Sequence, residues 1–291
     1  MGFGNSSGQV CVKDFFSSKI DNKSALKCYG DVDNADYSGF DTNFSKYLNE
    51  KSISEMIRVN DEISNVMKGF KINIKINMNI LNNLVSNHLP QTTNIALGMI
   101  KYLPREVKSQ VNPNALKNAT GLHDIAKVII PESIINKPGR LNEDELKIMR
   151  EHARLSYEML KTTDLDADSL NLIKAHHQSH QDHHTSNPIL QSREEVTNVN
   201  LQILSMADIY SALRERRSYK KEMSKEDALA VIKKETDAGK FHSCVYDALV
   251  KYSEHDEVDP YTERKTPKAW GLFKYILNKG KTEHQKEKTA V

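Results

Sequence analysis

The chain has 291 residues, enough for one large domain and a smaller companion. Lys and Arg total 41 against 39 for Asp and Glu, a net of +2, so overall charge gives no argument for nucleic acid or an anionic membrane as partner. Cys11, Cys28 and Cys244 form no paired framework and point to a reducing compartment, the cytoplasm, while no apolar run approaches the roughly 20 residues of a membrane span.

Residues 1 to about 45 are rich in Asn, Asp, Ser and Gly, lack periodicity, and open an N-terminal polar region, residues 1–70. Leu48, Ile53, Met56, Ile57, Ile63, Val66, Met67 and Phe70 predict one helix in that region. Next, Ile72, Ile74, Ile76, Met78 and Ile80 alternate with Lys and Asn. Period two argues for a strand, whereas the unbroken passage into Leu81, Leu84, Val85 and His88 leaves one long helix as the alternative. Helical spacing then dominates, over 95–103, 113–128, 143–161, 169–178, 196–214, 225–234 and 245–252. Loop signals separate these stretches, among them Asn136-Lys137-Pro138-Gly139 and the polar run 181–187. Ser224 with Asp227 marks a helix start resembling a capping box. The expected fold is all-α, a helical bundle over residues 71–255 behind a small, partly irregular N-terminal region. Residues 256–291 form a basic tail on which Trp270, Leu272, Phe273, Ile276 and Leu277 predict a short helix.

Chemistry is concentrated in one series: His88, His123-Asp124, His152, His176-His177 and Asp208. Divalent transition metals take imidazole nitrogen and carboxylate oxygen, and a bundle can aim such groups from several helices into one interior pocket. A lone helical His is usually packed or solvated. Here, however, polar groups interrupt apolar runs at Leu122-His123-Asp124-Ile125 and at Met206-Ala207-Asp208-Ile209, where burial is costly without ligation or hydrogen bonding. Asp124, with two carboxylate oxygens, is the natural bridge between two ions. A water shared between such cations could attack a phosphorus in line, so phosphoester hydrolysis is the expected chemistry.

The stretch from His123-Asp124-Ile125-Ala126-Lys127 through Pro131 to Asn136-Lys137-Pro138-Gly139 resembles the HD-GYP family, the bacterial branch of HD hydrolases that open cyclic di-GMP. The resemblance continues through Met149-Arg150-Glu151-His152, Ser205-Met206-Ala207-Asp208 and Arg217-Ser218-Tyr219-Lys220, and covers His88 to about Tyr252. It implies an HD-type bundle and two divalent cations, iron or manganese, on His88, His123, Asp124, His152, His176, His177 and Asp208. It further implies Asp124 and Lys127 as catalytic residues, with Lys127, Arg217 and Lys220 binding substrate phosphates.

Departures from the family are local. His176-His177 runs into Gln178-Ser179-His180-Gln181-Asp182-His183-His184 where the family has Glu and then Gly-Tyr-Pro. Ala126 stands in place of Gly, and Leu84 where some members carry a Glu that supports a third ion. His180, His183 and His184 read as a metal-scavenging loop or a lid. Three functions stay open: hydrolysis of cyclic di-GMP or a related cyclic dinucleotide, hydrolysis of another nucleotide or phosphomonoester, and a catalytically weak metal- and nucleotide-binding scaffold. A protein partner of that scaffold would engage the N-terminal region or the basic tail.

Overall fold

The computed structural model of the protein describes residues 42–177, 198–215 and 222–257, and helices are its regular elements, with no strand among the described residues. After a 3-10 turn at Thr42–Lys46, the helix expected between residues 43 and 70 divides into α1 (Glu50–Arg58) and α2 (Asp61–Gly69). Local capping and one tertiary contact impose the division. The Asn49 and Asn60 side chains accept from the backbone N–H groups of Ser52 and Glu62, as N-caps do. Asn60 also donates to the Glu158 carbonyl at 2.8 Å and to its carboxylate at 2.9 Å. Ile53, Met56, Ile63 and Met67 consequently sit in the same core as the rest of the chain.

Residues 72–77 form neither helix nor strand, so neither reading of this segment holds. Lys71, at φ 58°, turns the chain out of α2. The alternation itself is physical: Ile72, Ile74 and Ile76 are half-buried on the core while Lys71, Asn73 and Lys75 are exposed. Period two reports one covered face, and says nothing about a partner edge. Asn77 ends the segment, donating its N–H to Val128 O at 2.8 Å and capping α3 (Met78–Asn83).

From α3 the chain runs through a π-helical turn, Leu84–His88, into α4 (Leu89–Ile100). α4 is the axle of the bundle, buried on nearly every side. It packs against α6 (Pro113–Leu122), α10 (Val199–Arg214) and α12 (Ser243–His255). Between α4 and α6 lies the short α5 (Arg105–Lys108). The pattern expected to run helically over 113–128 stops at Leu122 and resumes as a 3-10 turn, Ile125–Ile129, so that His123-Asp124 falls in the break. α7 (Glu132–Ile135) leads to α8 (Glu143–Leu160), opened by a capping box between Asn142 and Glu145. α9 (Ala167–Ala175) packs on α6 and α8, and α11 (Lys225–Asp237), capped by Ser224, packs on α10 and α12. No described helix is long and apolar enough to cross a membrane. The C-terminal helix expected around residues 270–277 lies outside the described residues.

Gly121 marks a close approach just before the His-Asp break: a Cβ there would run into the buried Phe44 ring. Gly121→Ala is therefore expected to cost about 1–3 kcal/mol through overpacking, read as a fall of roughly 3–10 °C in Tm. An unchanged Tm would mean that Phe44 does not cover this turn.

Candidate metal centre

Helix ends place most of the series. His123 closes α6 and Asp124 follows at φ −103°, ψ 7°; His176 closes α9 and His177 follows it. Successive residues of an α-helix point about 100° apart, so an adjacent pair converges on one point only where the helix breaks. His88 ends the π-helical turn, a distortion that re-aims side chains within a helix. His152 and Asp208 come from the interiors of α8 and α10. Three imidazoles are held by their own helices: Nδ1 of His123, His152 and His176 lies 3.0, 2.5 and 2.7 Å from the carbonyl three residues earlier. Each Nδ1–H donates to that carbonyl, which leaves the Nε2 lone pair facing the centre.

The structure brings all seven predicted residues together in two adjoining nests, His88, His123, Asp124 and Asp208 in one and His152, His176 and His177 in the other. Asp124 spans them. Its Oδ2 lies 3.2 Å from His88 Nε2 and 3.5 Å from His123 Nε2, while its Oδ1 lies 3.2 Å from His152 Nε2 and 4.0 Å from His176 Nε2. Asp208 Oδ1 completes the first nest, 3.1 Å from His88 Nε2 and 3.5 Å from His123 Nε2. In the second, His152 Nε2 is 3.3 Å from His176 Nε2 and 2.9 Å from His177 Nε2.

Two observations fit this donor set to cations. The buried atoms His123 Nε2 and Asp124 Oδ1 have no hydrogen-bond partner, a cost that ligation would remove. Imidazole nitrogens and carboxylate oxygens also converge within 4.8 Å of one another in each nest, the ligand types that borderline divalent ions take.

Comparison with known proteins follows the same residues. The sequence profile of the HD domain matches residues 75–244, more than half of the chain. The chain belongs to the HD domain family. Among curated HD relatives, it is 33% identical over 157 residues to a probable cyclic di-GMP phosphodiesterase of Vibrio cholerae, covering 50% of this chain and 35% of that one. It is 29% identical over 127 residues to the cyclic di-GMP phosphodiesterase response regulator RpfG of Xanthomonas campestris, covering 43% of this chain and 32% of that one. A 3'3'-cGAMP-specific phosphodiesterase of Vibrio cholerae is 26% identical over 157 residues, covering 54% and 36%. The chain thus spans about a third of the length of these relatives.

Electrostatics of the HD centre follow from its burial. Burial alone would raise the pKa of Asp124, but the Lys127 ammonium and the surrounding imidazoles outweigh it and hold the carboxyl well below its usual range. Asp208 is held down against burial in the same way by His123 and His88. Burial lowers His88, yet hydrogen bonding to the two carboxylates more than reverses this and lifts it to about 9. His176 and His177 move the other way, pushed down by burial and by neighbouring imidazoles, His177 to about 3.

Lys127 sits at the edge of the centre, one-fifth exposed, with Nζ 2.5 Å from Asp124 Oδ2. Arg217, Lys220 and the histidines 180, 183 and 184 lie outside the described residues. Sequence reasoning missed the residues behind the ligand set: Ser156, Ser205 and Ser211 are buried against the ligand-bearing turns. A serine in an apolar helix is commonplace, so no spacing distinguishes these from ordinary core serines.

Proposed function

We propose that this chain is a metal-dependent phosphodiesterase that hydrolyses cyclic di-GMP, or a related cyclic dinucleotide, to its linear form. Two divalent cations, iron or manganese, are assigned to the two nests. One observation carries the reading: the two oxygens of the buried Asp124 face separate sets of imidazoles, Oδ2 towards His88 and His123 and Oδ1 towards His152 and His176. Bound there, a pair of cations would acidify a shared water and neutralise charge on a phosphodiester.

The chain's own residues do the holding and orienting. His88, His123 and Asp208 would hold one cation, His152, His176 and His177 the other, and Asp124 would serve both. Every ligand is carried on a helix anchored in the core or on the turn ending one, so the set is preorganised. Lys127 stands at the rim, where its ammonium can exchange Asp124 for a substrate phosphate oxygen. Arg217 and Lys220 are assigned to the flanking phosphate, the guanidinium contacting two oxygens at once. The relatives, which are cyclic di-GMP and 3'3'-cGAMP phosphodiesterases by name, support the substrate class.

A second reading, an HD phosphohydrolase acting on another nucleotide or a phosphomonoester, is favoured by Gln178-Ser179-His180 standing where the resembling family leads into Gly-Tyr. Anaerobically purified protein loaded with manganese or iron is expected to convert cyclic di-GMP to pGpG or GMP, with about two metals per chain by elemental analysis. Turnover confined to other nucleotides in a substrate panel would establish the second reading. Binding of the dinucleotide by metal-loaded protein without any turnover would make the chain a scaffold.

A further inference from the structure

We infer that three buried serines, Ser156, Ser205 and Ser211, are positioning residues that set the two cation sites separately. Ser211 governs the His88 nest, Ser205 the His176–His177 nest, and Ser156 the shared carboxylate. The inference rests on the two-cation reading above.

All three are at most 1% exposed. A buried hydroxyl without a partner costs free energy, and alanine would fill nearly the same space without that risk, so the partner of each hydroxyl explains its presence. Every partner belongs to a turn that carries a ligand. Ser156 stands one helical turn after His152 on α8, and its Oγ accepts the Ala126 N–H at 3.1 Å. That bond pins the 3-10 turn two residues past Asp124, fixing the backbone from which the bridging carboxylate projects.

The other two flank Asp208 on α10, three residues to either side. Ser205 donates to the His176 carbonyl at the point where α9 must stop for His177 to join the centre. Ser211 lies 3.4 Å from both Gln91 Oε1 and His88 Nδ1. With its hydroxyl donated to Gln91, its oxygen is left to accept the His88 Nδ1–H. His123, His152 and His176 are each oriented by a carbonyl of their own helix, whereas His88 takes its orientation from a neighbouring one. α10 is therefore a strut that carries Asp208 and reaches one hydroxyl towards each nest.

Cobalt(II), whose visible absorption reports coordination, is the probe. Wild-type protein is titrated with it alongside His88→Ala and His177→Ala, which supply reference spectra for loss of one nest or the other. Ser211→Ala is expected to weaken one cobalt site roughly 10- to 100-fold, as loss of a ligand's supporting partner typically does, with a difference spectrum matching His88→Ala. Ser205→Ala is expected to match His177→Ala, and Ser156→Ala to weaken both sites. Ser→Thr variants, which keep the hydroxyl, are expected to restore binding. Where an alanine variant does not fold by circular dichroism, the cysteine variant, with similar volume and only a weak donor, carries the comparison. Folded alanine variants that bind two cobalt ions with wild-type affinity and spectrum would overturn the serine assignment alone. Fewer than two cobalt ions on the wild-type chain would overturn the two-cation reading, and the assignment with it.

Discussion

Asp124→Ala is expected to remove bound metal and phosphodiesterase activity together. Its side chain, 1% exposed, is, among the described residues, the one group whose atoms face both nests, Oδ2 towards His88 and Oδ1 towards His152, each at 3.2 Å. Without it, one nest keeps three donors with a single carboxylate among them, and the other keeps three imidazoles and no anion. Charge stabilisation by bound cations contributes several kcal/mol to a hydrolytic transition state, so at 1.4 kcal/mol per tenfold the loss in kcat/KM is about 1000-fold or more. Asp124→Asn separates the two functions of the carboxylate: it keeps an oxygen for one nest and turns an amide NH2 to the other, so about one ion per chain should remain, with turnover still absent. Elemental analysis and product separation on the same sample decide the matter. Retained turnover in Asp124→Ala would mean that the chemistry lies elsewhere in the chain.

The legible and hidden parts of this centre differ for a physical reason. His123-Asp124 and Asp208 were visible because each interrupts an apolar helical run, and a buried polar group there needs a partner. Convergence in space was harder to read. The helical spacing over 113–128 continues smoothly through the His-Asp pair because Leu122, Ile125, Val128 and Ile129 are all buried, whether in a helix or in the 3-10 turn that replaces it. Hydrophobic periodicity records which residues are covered, and a helix that breaks inside the core keeps its covered residues. The same limit explains Ile72, Ile74 and Ile76, whose alternation marks a covered face in a segment that is not a strand. It explains Asn60 too, where the break between α1 and α2 depends on Glu158, remote in sequence. The supporting serines were invisible since their partners are mostly backbone groups and ring nitrogens on other elements, which no local pattern encodes.

Cation uptake by the two nests is expected to differ in its dependence on pH. Burial opposes a charge on His88, but Asp124 and Asp208, at 3.2 and 3.1 Å, lift it to about 9, so at neutral pH the metal-free imidazole carries two protons. A cation entering that nest must displace one of them, and loading there should release about one proton at pH 7. His176 and His177, lowered by burial and by their neighbours, are already neutral at that pH and give up none. The sign follows. As pH rises towards 9, affinity at the His88 nest should increase about tenfold per unit and then level off, while His176 and His177, both lowered, contribute no such slope over that range. The metal-free fold should respond oppositely, because a folded-state pKa above the ordinary 6.5 gives stability that is complete below 6.5 and is lost as pH passes through 9. Calorimetric titration with manganese in buffers of different ionisation enthalpy, at pH 7 and at pH 9.5, measures the protons directly. His88→Ala should abolish the release at pH 7, whereas release that persists in that variant would transfer the displaced proton to another ligand and break the asymmetry between the two nests.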